Sequence, residues 1–167
     1  MQISTANCRV IRFPILADLP TTPFSGTEVV QGVSSSDGDG PGRVRVEIDG
    51  KADVLAFYGA APEVIPADPV IFLRGDVVEK RDTGIVVSEG YTATTAYGVQ
   101  AVAEQLCASF ARPYVHLARP GILGSSGQHL NRRRPREVAL VDMALTRLKE
   151  ISAGVDSISS VNQAVGI

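Results

Sequence analysis

Two short segments carry the residue types best suited to chemistry: Arg74-Gly75-Asp76 and Arg119-Pro120-Gly121, each directly after an apolar run. A glycine turn lets backbone N–H groups approach a ligand closely, and arginine adds a fixed fork of five donors. That combination suits an anionic group or the oxyanion that develops during acyl transfer. Ser125 and Ser126 lie nearby in Gly124-Ser125-Ser126-Gly127-Gln128, but the second glycine of a Gly-x-Ser-x-Gly nucleophile turn is missing. His116 sits within a short apolar strand and reads as a core histidine, while His129, beside Gln128 and an arginine run, reads as a solvated loop residue. Neither histidine completes a triad with a serine, so no catalytic residue is assigned. Asp76, Glu79, Asp82 and Glu89 would be the acid/base groups of a small self-sufficient enzyme, a weak signal because loop carboxylates are common.

Composition narrows the function classes. The 167 residues are 44% hydrophobic and 20% charged, which suits one globular α/β domain, with 1–60 antiparallel, 69–150 parallel and 154–167 an irregular tail. Sixteen basic residues against eighteen acidic ones leave a net charge of -2, which disfavours nucleic acid as a partner. The basic run Arg132-Arg133-Arg134-Pro135-Arg136 keeps open a second class, a non-catalytic binding module that grips phosphates or an acidic partner. Cys8 and Cys107 are far apart and outside any Cys/His cluster, so buried structural thiols are expected and no metal or cofactor. The longest apolar stretches are as short as Pro69–Leu73, and no charged leader precedes an apolar run at the N-terminus. No membrane partner and a cytoplasmic location are therefore expected.

The elements that must position these residues follow from periodicity. Cys8–Phe13 and Thr27–Gln31 read as short strands, and Ser34–Gly42 as a surface loop. Arg43–Ile48 alternates cleanly, Asp49-Gly50 is a type I′ turn signal, and Ala52–Tyr58 returns as the partner strand. Pro69–Leu73 reads as a strand buried on both faces. Residues 95–110 predict a helix with Val99, Val102, Ala103, Leu106 and Phe110 on its apolar face, stopped by Pro113. Tyr114–Ala118 is the next strand. Pro135 opens a final helix, with Glu137 in its first turn and Val138, Val141, Leu145 and Leu148 as its stripe. Strand, helix, strand, helix predicts an open parallel sheet with chemistry at the carboxyl ends of its strands.

Antiparallel strands, Phe72-Leu73-Arg74-Gly75-Asp76, a helix, Leu117-Ala118-Arg119-Pro120-Gly121 with its Gly124–Gly127 loop, and a helix from Pro135 together resemble the front half of an α/β-hydrolase. The resemblance is to bacterial serine esterases and peptidases and runs from about residue 69 to 150. It implies an incomplete β-α-β-α half of that fold, acting in the parent family on a small-molecule ester or peptide. It also implies that Gly75, Asp76 or Val77 supplies an N–H of the oxyanion hole, with Arg74, Arg119, Gly124, Ser125 and Ser126 along the rim. Arg74 stands where that family usually has histidine.

The strand after the last helix is where the nucleophile belongs, and Gly154–Ile167 has no clear period. One nucleotide string that encodes these residues also encodes, in a neighbouring frame, Arg-Arg-Leu-Asp-Leu-Val-Gly-Gln-Ser-Gly-Gly-Gly-His. The chain is therefore expected to be a frameshifted, inactive front of a longer serine hydrolase, with native-frame sequence ending near Lys149–Ala153. Loss of the later strands would leave an unpaired sheet edge and invite a homodimer through it.

Overall fold

The computed structural model describes residues 8–9, 13–32, 42–62 and 69–153. In chain order these form β1 (Cys8–Arg9), α1 (Gly26–Gln31), β2 (Arg43–Ile48), β3 (Lys51–Pro62), β4 (Val70–Leu73), β5 (Val78–Arg81) and β6 (Gly84–Val87). Then follow α2 (Glu89–Thr92), α3 (Ala96–Phe110), β7 (Tyr114–Leu117) and α4 (Pro135–Ala153).

The β2-β3 hairpin is built as its turn residues dictate. Asp49 and Gly50 have φ of 52° and 74°, the two positive values that a type I′ turn needs, and Arg43 pairs with Ala56 through to Ile48 with Lys51. β3 is the spine of a five-stranded mixed sheet ordered β1-β3-β7-β4, with β2 also on β3. It runs antiparallel to β1, β2 and β7, while β4 and β7 run parallel in register from Val70 with Tyr114 to Leu73 with Leu117. β5 and β6 form a separate antiparallel pair.

Helices cover both faces of this sheet. α4 packs Leu140, Ala144 and Leu145 against Val44, Val46, Leu55, Phe57 and Leu117. Opposite-facing residues of the same strands, Ala60 and Tyr114, meet Ala103 and Cys107 of α3, and Tyr58 joins Val99 and Tyr91 in the adjoining cluster. Gln100 of α3 is wholly buried because its amide takes both backbone groups of Gly59, accepting from N at 3.0 Å and donating to O at 2.8 Å. The architecture is α/β with a mixed sheet and a small antiparallel sheet. None of the helices among the described residues is long and apolar enough to cross a membrane.

Several expectations are corrected. Thr27–Gln31 belongs to helix α1, started by Ser25, whose hydroxyl accepts from the Thr27 N–H. The strand expected at Cys8–Phe13 is described only at Cys8–Arg9, and the loop at Ser34–Gly42 and the tail from Gly154 lie almost wholly outside the described residues. β4 is not buried on both faces: among the described strands it pairs with β7 alone, and Phe72 is 44% exposed. The loop expected after Asp76 contains the β5-β6 hairpin. Cys107 is a disulfide partner, not a free thiol.

Candidate functional site

Because β4 and β7 are parallel neighbours joined through α3, their carboxyl ends open at the same rim, and the loops after them meet there. Arg119, two residues past β7, reaches back across this rim. Its Nη1 lies 3.4 Å from the carbonyl oxygen of Arg74 and 3.5 Å from Oδ1 of Asp76. The rest of its guanidinium is clamped by Glu137 in the first turn of α4, Nε to Oε1 at 2.5 Å and Nη2 to Oε2 at 3.0 Å. This fork-to-fork geometry fixes the guanidinium plane.

Glu137 also accepts the N–H of Arg133 at 2.6 Å, which helps hold that residue at a φ of 57°. Burial pushes the Glu137 carboxyl up, but the hydrogen bonds from Arg119 and Arg133 and the charges of Arg119 and Arg132 outweigh it and hold it below the usual range. The same hydrogen bond raises Arg119.

Two further guanidiniums close on Asp76. Nη1 of Arg132 lies 3.4 Å from Oδ1, and Nη2 of Arg133 is 2.5 Å from Oδ2. Arg132 is drawn inside, its Nε donating to the Pro120 carbonyl at 3.2 Å. Burial, with the charge of Arg119, pushes its pKa down against the pull of Asp76. Arg74 flanks the cluster, its guanidinium 5.6 Å from the centre of the Tyr91 ring. Among the described residues no acceptor takes the backbone N–H of Gly75, Asp76 or Val77. Gly75 has open space where a Cβ would stand.

The Gly124–Gly127 loop does different work from the rim role expected of it. Ser125 and Ser126 are buried, and their hydroxyls accept the N–H groups of Ala56 and Val54, each at 2.9 Å. Ser126 donates to Asp53, which also pairs with Arg136 at 2.8 Å. The two serines thus extend the hydrogen bonding of β3 beyond β7, and Leu123 is fixed at a φ of 54° by Tyr58 and Tyr91. The Tyr58 hydroxyl donates to its carbonyl at 2.8 Å and the Tyr91 hydroxyl accepts its N–H at 2.9 Å. Burial raises both phenols.

The structure therefore brings together Arg74, Gly75, Asp76, Val77 and Arg119, and it commits the hydroxyls of Ser125 and Ser126 to β3. Arg132, Arg133 and Glu137 complete the cluster. Their signal in the sequence was the arginine run itself, which a linear reading places on a solvated loop. Of the four carboxylates weighed for acid/base work, Asp76 alone enters the described contacts of the cluster; Glu79 pairs with Arg81 on the β5-β6 hairpin.

His116 lies on β7, edge-on to Phe72 at 4.9 Å between ring centres, with Nε2 buried and unpartnered among the described residues. Burial, helped by the charge of Arg74, pushes it down to about 4, so it is neutral at pH 7. His129 faces α1, with Nδ1 3.2 Å from the Val29 carbonyl.

No family model, curated protein or solved structure matches this chain.

Proposed function

We propose that this chain is the front portion of an α/β-hydrolase-like serine hydrolase of the esterase or peptidase class, itself inactive because it lacks a nucleophile turn, acid and histidine. One observation carries the reading. The turn after β4 offers the N–H groups of Gly75, Asp76 and Val77 to no described acceptor, at the carboxyl end of a parallel strand pair and beside Arg119. Backbone N–H groups left without an internal acceptor are available to the negative charge that develops on an acyl oxygen. On the same reading the native frame ends near Lys149–Ala153, and the open edge of β4 favours a homodimer.

The binding-module alternative loses ground because three arginines of the basic run are paired with carboxylates of the chain itself. Arg132 and Arg133 hold Asp76, and Arg136 holds Asp53. That leaves Arg134 of the run with no described carboxylate partner, short of the row of free cations that would track an external phosphate chain.

The test has two parts. Purified chain should neither turn over p-nitrophenyl acetate nor take up a fluorophosphonate label, because no serine is activated. Sequencing the gene from codon 140 past the stop should show an open neighbouring frame encoding Gly-x-Ser-x-Gly, and restoring that frame should bring labelling. Closed neighbouring frames, or labelling of the chain as it stands, would overturn the reading.

A further inference from the structure

We propose that the arginine cluster at the carboxyl ends of β4 and β7 is an oxyanion-binding site, whose ligand, a carboxylate or phosphoryl group, displaces the carboxylate of Asp76. Asp76 holds the place of the ligand but fills it poorly. Three guanidiniums converge on this one carboxylate, yet Arg119 and Arg132 stand 3.5 Å and 3.4 Å from it. Charge-assisted N–H to O bonds close to about 2.7–2.9 Å when the acceptor fits. Only Arg133, whose side chain is 80% exposed, makes a close contact.

The arginine side of the cluster is left short of acceptors. Arg132 has a side chain only 3% exposed, and its Nη2 is buried with no partner among the described residues. A desolvated guanidinium with an idle donor is costly, and an added anion relieves that cost. Among the described residues the carboxylates paired with Arg119, Arg132 and Arg133 are Asp76 and Glu137, and Glu137 is already engaged by Arg119 and the Arg133 N–H. The idle N–H groups of Gly75, Asp76 and Val77 supply further donors of the kind that line backbone anion sites.

Asp76 is placed to give way. Its side chain is 25% exposed, and it follows Gly75, which has no neighbour within 4 Å of where a Cβ would lie. Swinging the carboxylate into water costs little, and a ligand with more oxygens satisfies more of the waiting donors.

This site shares the N–H groups of Gly75, Asp76 and Val77 with the hydrolase reading, but its test is separate, because anion binding is measured without turnover. The full chain is titrated calorimetrically with inorganic phosphate at low ionic strength, and its melting temperature is compared in phosphate and in sodium chloride of equal ionic strength. Asp76→Asn should bind phosphate at least about ten-fold more tightly than the unaltered chain. Asp82→Asn, the same charge change on the exposed β5-β6 turn, should stay within about two-fold.

Arg133→Gln should weaken binding in the otherwise unaltered protein, and its exposure makes this variant safe for folding should Asp76→Asn not fold. A parallel titration with acetate separates the two ligand sources: a matching gain assigns a carboxylate, a gain for phosphate alone a phosphoryl group. Equal effects of Asp76→Asn and Asp82→Asn, an Arg133→Gln variant that binds as tightly as its parent, or no effect of phosphate or acetate beyond that of chloride in any variant overturns the proposal.

Discussion

His116 shows how one buried side chain ties stability to pH. Its ring is packed against Phe72, and Nε2 finds no described partner. The folded state therefore resists protonating it, and its pKa falls from the ordinary 6.5 to about 4. Between those values the unfolded chain binds the proton more readily than the folded one, so stability falls as pH drops from about 6.5 to 4 and is unaffected by this group above that window. From pH 7 to pH 5 the loss is about 2 kcal/mol. Urea unfolding followed by circular dichroism should show that loss in the parent and not in His116→Leu, which also removes an unsatisfied polar atom. An unchanged pH difference in the variant would mean that other groups set the acid sensitivity. Glu137 has the same sign in a more acid window: its carboxylate is favoured by its partners, so its contribution is present above its ordinary value and is lost as pH falls below it.

At the scale of elements, the turns were the most legible part of the chain and the helix faces the least. Asp49-Gly50 dictated its hairpin because both residues tolerate positive φ, and Pro135 opened α4 because its missing N–H is not needed there. The face of α3 came out rotated from the expected stripe. Val99, Gln100, Ala103 and Cys107 are buried, whereas Val102 and Phe110 are 53% and 52% exposed. A polar residue at the centre of a buried face defeats a reading by hydrophobicity, and Gln100 is there because Gly59 offers it two backbone partners.

Val99→Ala should cost about 1–2 kcal/mol, from the methyl groups withdrawn from the core. Val102→Ala should change stability by less than about 0.5 kcal/mol. Thermal melts of the two variants check this, and equal losses would restore the expected stripe. At α1 the sequence alone predicts a strand, since Val29 and Val30 favour β structure. Ser25 and a single buried valine, Val29, decided otherwise.

Considered as a whole molecule, the described sheet ends at β4, with Phe72 44% exposed and α3 presenting Val102 and Phe110 to solvent. A short open edge of this kind pairs with another strand unless a charge blunts it. Sedimentation velocity should show a dimer that grows with concentration, and Phe72→Lys should shift it to monomer. A concentration-independent monomer in the parent would remove the edge as an interface. The disulfide at Cys107 bears on where such a molecule resides, since disulfides persist in oxidising compartments and are rare in the cytoplasm expected from the sequence.

What the sequence determined by itself was local or periodic: the β2-β3 hairpin, the succession β4, α3, β7 and α4, the start of α4, and the two strand ends at which the charged cluster forms. These follow from dihedral preferences and from burial periods of two and 3.6, which neighbours along the chain encode. The tertiary structure alone decided that Arg132 and Arg133 close on Asp76, and that Ser125 and Ser126 bond to β3 across some seventy positions of sequence. It also decided that β4 is an edge. Those outcomes depend on which buried polar groups find partners, and such partners are chosen by proximity in space, which spacing along the chain does not record.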